Sequence, residues 1–250
     1  MAARAGGARV RATLALEGAS VSYGGVHALH DVSLNVYAGR VLGLIGPNGA
    51  GKTTLINATT GIVPLTSGTI SLDERRIDGK PAHRIARAGI ARTYQNIRLF
   101  GTLDVRSNLA AGAFARPGRL TDGAAHALLE RAGIATVSLD SAASALPYGD
   151  QRRLEIARAL ASEPSIVMLD EPAAGMNPTE TDRLIETIAA IAASGIGVLL
   201  IEHDMSLVRA ACHELVVLNF GEVIARGTPA DVANDPIVIE AYLGTSEHAD

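Results

Sequence analysis

The residue pattern with the clearest chemistry is a glycine-rich loop between residues 46 and 53. It fits G-x-x-x-x-G-K-[ST], with the residues Gly46, Pro47, Asn48, Gly49, Ala50, Gly51, Lys52 and Thr53. Glycines let successive backbone N–H groups converge on an anion, and the unpaired amides of a helix N-terminus add to them. Lys52 would bridge β- and γ-phosphates, and the Thr53 hydroxyl would ligate Mg²⁺. The loop, with Thr54 beside it, predicts a site for a nucleoside triphosphate such as ATP.

A chance Gly-Lys-Thr turn is the alternative, and its context disfavours it. The continuous apolar run Val41–Ile45 precedes the loop and the helical stretch Lys52–Thr60 follows it. In α/β folds, a strand that is buried on both faces is followed by a loop and a helix in this way.

Two acids follow a second apolar run, Ile166–Leu169. Ligands sit at the carboxyl ends of strands in open α/β sheets. Because strand side chains alternate, we expect Asp170 and Glu171 to point in opposite directions, with Asp170 on Mg²⁺ and Glu171 as the general base. A solvated acidic pair is the alternative, but acids directly after four buried apolar residues favour hydrolysis.

A histidine ends a third apolar run. His203 follows Val198–Ile201 and Glu202, where it could contact a γ-phosphate or position a water molecule. Taken alone, a structural histidine is at least as plausible, and the other six histidines receive no role.

The elements around these residues predict an α/β fold. Three buried strands with crossover helices at Arg152–Leu160 and Glu180–Ala192 indicate a mainly parallel sheet. The stretches Leu14–Ser22 and Ser33–Tyr37 alternate and predict an antiparallel β subdomain. Further predicted elements are the helices Val105–Phe114 and Ala124–Ala132 of an inserted subdomain, a helix at Met205–Ala211, strands at Leu215–Leu218 and Glu222–Ala225, and a helix near Pro236–Leu243.

Composition narrows the class of protein. The chain has 250 residues, with 26 acidic against 22 basic side chains, a net charge of −4 and 3% aromatic residues. This composition disfavours nucleic acid as a partner.

Cys212 cannot form an internal disulfide, and we expect it to be buried. Glu17 interrupts any signal-peptide core, and no apolar run reaches the roughly 18 residues of a membrane span.

Further residues appear in an order that resembles the nucleotide-binding subunits of ABC transporters. The resemblance runs from about residue 14 to 244. It identifies Tyr23 as the adenine-stacking aromatic, Gln95 as the glutamine that meets the metal and the lytic water, and His203 as the switch histidine. It also identifies Leu146–Gln151 as the signature segment, with Tyr148, Gly149 and Asp150 as its nucleotide-contacting residues.

The resemblance implies a P-loop NTPase core and a head-to-tail dimer that sandwiches two ATP molecules. Each ATP would lie between one phosphate loop and the other subunit's signature segment, whose helix opens near Gly149. It implies one ABC ATPase domain at residues 13–245, a helical subdomain at about 100–160, and tails at 1–12 and 246–250. The stretch Ile97–Phe100 and the helical subdomain would dock integral membrane permease subunits.

Departures from the commonest pattern point to a subgroup. Pro147, Tyr148 and Asp150 replace Ser, Gly and Gln, and Asn177 stands where Asp is commoner, which puts the intersubunit role of that side chain in doubt. The same departures resemble the ATPase subunits of branched-chain amino acid importers. That subgroup implies a second ATPase subunit of the same or a related chain, an extracytoplasmic amino-acid-binding protein and a place at the cytoplasmic face of the membrane.

Two rival functions remain open from the sequence. One is a soluble ABC-type ATPase that acts on ribosomes or DNA, although such proteins usually carry tandem cassettes or coiled-coil insertions. The other is an importer ATPase for another small solute, such as urea or amides.

Overall fold

The structure, a computed structural model, describes residues 12–115 and 120–243. The strands are β1 (Ala12–Tyr23), β2 (Val26–Tyr37), β3 (Val41–Ile45), β4 (Ser67–Leu72), β5 (Arg75–Arg76), β6 (Ile90–Arg92), β7 (Ile166–Asp170), β8 (Gly197–Ile201), β9 (Glu214–Asn219) and β10 (Glu222–Gly227). The α-helices are α1 (Lys52–Thr59), α2 (Ala82–Ala88), α3 (Val105–Gly112), α4 (Asp122–Arg131), α5 (Tyr148–Leu160), α6 (Pro178–Ala193), α7 (Met205–Ala211), α8 (Pro229–Ala233) and α9 (Pro236–Leu243). The expected tails, 1–12 and 246–250, lie outside the described residues except for Ala12.

A six-stranded sheet in the order β10-β9-β3-β8-β7-β6 forms the centre of the molecule. Adjacent strands of this sheet are parallel from β9 through β3, β8 and β7 to β6, and β10 pairs antiparallel to β9. Every residue of β3, β7 and β8 is buried, which confirms the strands expected from the three apolar runs. Because β8 lies between β3 and β7, the loops after these three strands emerge side by side.

The second sheet is antiparallel, in the order β2-β1-β4-β5. Strand β2 starts at Val26, seven residues before the expected Ser33. The first half of β2 does not alternate regularly between apolar and polar residues, for two reasons. The pairing register with β1 shifts between Ala19 and Val21, and Asp31 has a φ of 52°. The inner face of this sheet packs on α1 and on one face of the central sheet.

Sequence patterning gave no assignment to β4, β5, α2, β6 or α8. These elements are short, and Ile85 is the buried residue of α2, so no apolar stripe marks the helix. Strand β4 contains Gly68, whose φ of 88° and close approach to the carbonyl of Gly18 exclude a side chain there.

Helices α3, α4 and α5 pack together on the opposite face of the central sheet through residues such as Leu109, Leu129 and Leu154. Gly112 lets α3 approach α5, since a Cβ at this position would lie 2.0 Å from the Arg158 carbonyl oxygen. Helix α5 starts at Tyr148, four residues before the expected Arg152, because its polar first turn does not extend the apolar periodicity. The assignment of residues 100–160 as an inserted subdomain stays a prediction.

Candidate active site

The glycine loop lies between β3 and α1, as its pattern predicts. Gly46 has a φ of 149°, and a Cβ there would lie 2.1 Å from the carbonyl oxygen of Leu218. Gly51 is the N-cap of α1 in the left-handed conformation, and a Cβ there would lie 2.6 Å from the carbonyl oxygen of Ala28. Both positions require glycine because neighbouring backbone occupies the space.

The start of α1 is free of competing side-chain groups. Its N-cap makes no side-chain hydrogen bond, and its first turn contains no acid. Lys52 folds back over the loop, and its Nζ donates to the carbonyl oxygens of Gly46 at 2.6 Å and Pro47 at 2.9 Å. Burial lowers the pKa of Lys52, and Glu171 and Asp170 oppose that shift. The amides and the ammonium group together form a site suited to a polyanion.

A cavity of about 280 Å³ opens beside this loop. Its lining residues are Ala28, Asn48, Gly49, Ala50, Gly51, Lys52, Thr53, Thr54, Gln95, Asp170, Glu171 and Ile201. The structure therefore brings the phosphate loop, the glutamine and both acids into one space.

Asp170 is the last residue of β7 and is held from two sides. Its backbone N–H donates to Oγ1 of Thr93 at 3.3 Å, and Nη2 of Arg92 lies 3.4 Å from its Oδ2. Burial raises the pKa of the Asp170 carboxyl, and the charges of Arg92 and Lys52 oppose that shift. Arg92 also donates to Oδ1 of Asn57 on α1 at 2.9 Å, so it connects the two halves of the site.

Glu171 lies just beyond β7 and has a φ of 47°, which is uncommon for a residue other than glycine. Its backbone N–H donates to the carbonyl oxygen of Ile201 on β8 at 2.9 Å. The turn breaks the strand alternation, so Asp170 and Glu171 line the same cavity. Glu171 lies beyond the last residue of β7, so the alternation on which the expected opposite directions rest does not extend to it, and the directions stay a prediction.

The carboxylate of Glu171 contacts two other predicted residues. Nε2 of Gln95 donates to its Oε2 at 2.8 Å, and Nδ1 of His203 lies 3.9 Å from its Oε1. The His203 side chain is 67% exposed and stands at the rim of the site. Three predicted catalytic side chains thus form one cluster.

Glu202 is a site residue that sequence reasoning missed. It is 2% exposed, and its carboxylate accepts the backbone N–H of Ala173 at 2.8 Å and that of His203 at 3.3 Å. Burial raises the pKa of Glu202. A glutamate that closes a buried apolar strand was the available signal. The side chain fixes the backbone at Ala173, two residues after Glu171, and at His203.

The signature residues and Tyr23 do not line this cavity. Tyr148, Gly149 and Asp150 form the first turn of α5, which begins after Pro147 without a side-chain cap. Gly149 packs against α6, since a Cβ there would lie 2.5 Å from Oε1 of Glu180. Tyr23 ends β1 and is 51% exposed.

Asn177 stabilises a helix. Its side chain accepts the backbone N–H of Glu180 at 3.0 Å, and the Glu180 carboxylate accepts the Asn177 N–H at 2.9 Å. This capping box starts α6, which Pro178 opens at its first position.

A larger groove of about 540 Å³ lies between helix α2 and the edge strand β6 on one side and helices α3 and α5 on the other. Arg98 and Phe100, from the stretch expected to dock a partner, line it together with Arg92, Tyr94 and Arg158. Among the described ranges, no helix is both long and apolar enough to span a bilayer.

A glycine loop between a buried parallel strand and a helix, with acids at the end of the next strand but one in the same sheet, defines a P-loop nucleoside triphosphatase. The ABC transporter family model matches residues 29–174, and that of the branched-chain amino acid ATP-binding cassette transporter matches residues 222–248. This chain belongs to the ATP-binding subunits of ABC transporters, which couple ATP hydrolysis to transport.

Curated relatives cover nearly the whole chain. It is 44% identical to the high-affinity branched-chain amino acid transport ATP-binding protein LivG of Salmonella typhimurium, over 92% of this chain and 97% of the relative. It is 43% identical to the corresponding protein BraF of Pseudomonas aeruginosa, over 94% and 98%.

A solved structure confirms the fold class. The ADP conformation of MJ1267, an ATP-binding cassette of an ABC transporter, has a TM-score of 0.84 and 30% identity, over 94% of this chain and 99% of that one.

Proposed function

We propose that this chain is the ATP-hydrolysing subunit of an importer that takes up branched-chain amino acids. The relatives named above carry that activity in their names, and the C-terminal match is to a family of the same description. The observation that carries the ATPase step is the single cavity in which the phosphate loop, Gln95, Asp170 and Glu171 meet.

ATP is bound by the loop from Gly46 to Thr54. The backbone amides of the loop and the first turn of α1 face the phosphates, and Lys52 moves from its loop carbonyls to the β- and γ-phosphates. Tyr23, exposed at the end of β1, stacks on the adenine ring.

The donor atoms at the cavity suit Mg²⁺. They are the Thr53 hydroxyl, the Gln95 amide oxygen and the Asp170 carboxylate, and magnesium prefers such hard oxygen ligands. In the described residues no group of three or more His, Cys, Asp or Glu could hold a metal ion. The three donors from Thr53, Gln95 and Asp170 suit an ion that takes its remaining ligands from phosphates and water. When bound, the ion neutralises charge that develops on the β- and γ-phosphates.

Hydrolysis depends on the cluster around Glu171. Its carboxylate accepts the proton of the attacking water, Gln95 orients the same carboxylate, and His203 at the rim contacts the γ-phosphate. The Glu171 turn and the buried Glu202 hold the base in place before nucleotide arrives.

The site is completed by a second ATPase subunit, which is a copy of this chain or a related one. The first turn of α5 lies at a helix N-terminus outside the cavity of its own chain, with Tyr148 exposed, Asp150 half-buried and Gly149 buried against α6. Its amides face the γ-phosphate held by the partner. ATP therefore closes the dimer, and hydrolysis lets it open.

The partners follow from the same proposal. Integral permease subunits dock in the groove near Arg98 and Phe100. With these partners the chain works at the cytoplasmic face of the membrane. An extracytoplasmic amino-acid-binding protein delivers the solute. The rival ATPase of ribosomes or DNA is not favoured, because the most similar relatives named above are transport proteins.

Uptake measurements in cells that lack the gene test the proposal. We expect the wild-type chain to restore accumulation of radiolabelled leucine, isoleucine and valine, and Glu171→Gln at equal protein level to fail. Urea and a short aliphatic amide serve as competing solutes. The substrate assignment is wrong if uptake of urea or the amide, and not of leucine, depends on the gene.

A further inference from the structure

Arg152 is a buried arginine that the proposed mechanism does not use. Its side chain is 4% exposed, in the second turn of α5. Nη1 donates to the carbonyl oxygen of Tyr94 at 3.0 Å, and Nη2 donates to that of Gln95 at 2.5 Å. One guanidinium therefore binds the carbonyl groups of two successive residues, and the second of them, Gln95, is a predicted catalytic residue.

Tyr148, at the start of the same helix, holds the other side of this guanidinium. Nε of Arg152 donates to the Tyr148 hydroxyl at 3.2 Å, and Cζ of Arg152 lies 5.5 Å from the ring centroid. The ring lies against Gly175, in the loop after Glu171. A Cβ at Gly175, which has a φ of 78°, would lie 3.1 Å from Cε1 of the tyrosine.

Glu155 secures the far end of the same segment. It is 2% exposed, and its Oε1 accepts the backbone N–H of Arg98 at 3.2 Å. Its Oε2 lies 3.9 Å from Nη1 of Arg152, and Arg158 Nη2 lies 3.4 Å from Oε1. The segment from Tyr94 to Arg98 is thus attached to α5 at both ends by charged side chains.

We propose that Tyr148 and Arg152 are positioning residues that set the backbone of Gln95, and through it the contact between Gln95 and Glu171. The proposal rests on the ATPase function given above. It also explains the tyrosine in the signature segment. The amides of the first turn of α5 serve the partner's phosphate, while the Tyr148 side chain turns inward to Arg152 and Gly175.

These contacts couple the nucleotide site of one chain to the nucleotide site of its partner. Gln95 belongs to the site of its own chain, whereas the first turn of α5 completes the site of the partner. Because Arg152 bonds to the backbone of Gln95 and to Tyr148, displacement of either one displaces the other.

Tyr148→Phe is the milder test, since it removes only the hydroxyl that accepts from Arg152. We expect kcat for ATP to fall by about three- to tenfold with KM little changed, because the guanidinium loses one positioning contact and keeps its two bonds to the carbonyls of Tyr94 and Gln95. Tyr37→Phe on β2 is the matched control and should leave both constants unchanged. Arg152→Gln, where it folds, should lower kcat by about a hundredfold, as expected for a misplaced catalytic group.

A double-mutant cycle with Gln95→Ala separates positioning from general support of the fold. If Tyr148 acts through Gln95, Tyr148→Phe will have little further effect on kcat in the Gln95→Ala background. Multiplied losses, or an unchanged kcat for Tyr148→Phe alone, would overturn the inference. A wild-type protein without ATPase activity, or a Gln95→Ala variant with full turnover, would instead overturn the proposed function.

Discussion

The side-chain amide of Gln95 donates a hydrogen bond to the carboxylate of Glu171, with Nε2 2.8 Å from Oε2. The two residues are 76 positions apart in the chain. The contact orients the carboxylate from one side, and the backbone bond from Glu171 N–H to Ile201 fixes it from the other. A predicted base is therefore held in place by the side chain of Gln95, from the loop after β6, and by the backbone of strand β8.

Replacing the base tests this arrangement first. Glu171→Gln keeps the size of the side chain and removes its ability to accept a proton. We expect turnover to fall by about a hundred- to ten-thousandfold, while ATP binding stays near the wild-type level and the ATP-bound dimer persists. Phosphate release, equilibrium binding and size-exclusion chromatography with ATP measure the three quantities.

The control for this variant is Glu186→Gln, an exposed acid on α6 away from the cavity. It should behave as wild type in all three measurements. Turnover of Glu171→Gln at the wild-type rate would remove Glu171 from the mechanism.

Lys52→Ala should weaken nucleotide binding itself. The ammonium lies over the loop and offers the charge-assisted contact to the phosphates. A loss of about ten- to a hundredfold in Kd for a fluorescent ATP analogue corresponds to the roughly 1.5–3 kcal/mol of such a contact. Lys80→Ala, at an exposed turn, is the matched control. Unchanged affinity in Lys52→Ala would contradict the assigned cradle.

The glycines of the loop should differ in their tolerance of alanine. Gly46→Ala puts a Cβ against the Leu218 carbonyl, whereas a Cβ at Gly49, with a φ of 80°, meets no atom within 4 Å. Gly49→Ala should lower the free energy of unfolding by about 1–2 kcal/mol, from backbone strain alone. Gly46→Ala should cost more than about 3 kcal/mol, because overpacking adds to strain. Urea denaturation of both variants measures the difference, and equal losses would show that the clash relaxes.

Cys212 should be unreactive in the folded protein. Burial raises the pKa of its thiol to about 12, and the side chain is 9% exposed. At pH 8 only about one molecule in ten thousand would carry the thiolate, which is the nucleophile. Iodoacetamide should therefore label the native protein far more slowly than the urea-unfolded chain. Equal labelling rates in the two states would contradict the burial of this residue.

The sequence predicts those parts of the site that depend on local pattern. The apolar runs of β3, β7 and β8 indicate strands that are buried on both faces. The glycine-rich pattern predicts the conformation of the loop after β3. Side-chain direction at Glu171 depends on a positive φ, which strand alternation does not reveal. Both acids could therefore be placed at the end of β7 from the sequence, whereas the direction of the Glu171 side chain could not be derived from strand alternation.

Other features depend on contacts between distant segments. Arg152 and Glu155 have the sequence appearance of solvated charges on a helix, yet both are buried. Their burial is compensated by backbone groups of Tyr94, Gln95 and Arg98, more than 50 residues away. Local pattern carries no information on such pairing. Glu202 differs, because its place directly after the buried strand β8 is a local signal that the sequence interpretation did not use.

We propose that ATP bound by one chain is hydrolysed only when a second chain supplies the first turn of its α5. The most direct measurement is ATPase activity per mole of purified protein across a dilution series, with the association state followed by analytical ultracentrifugation. We expect specific activity to fall with dilution as dimers dissociate. A constant specific activity in samples shown to be monomeric would contradict it.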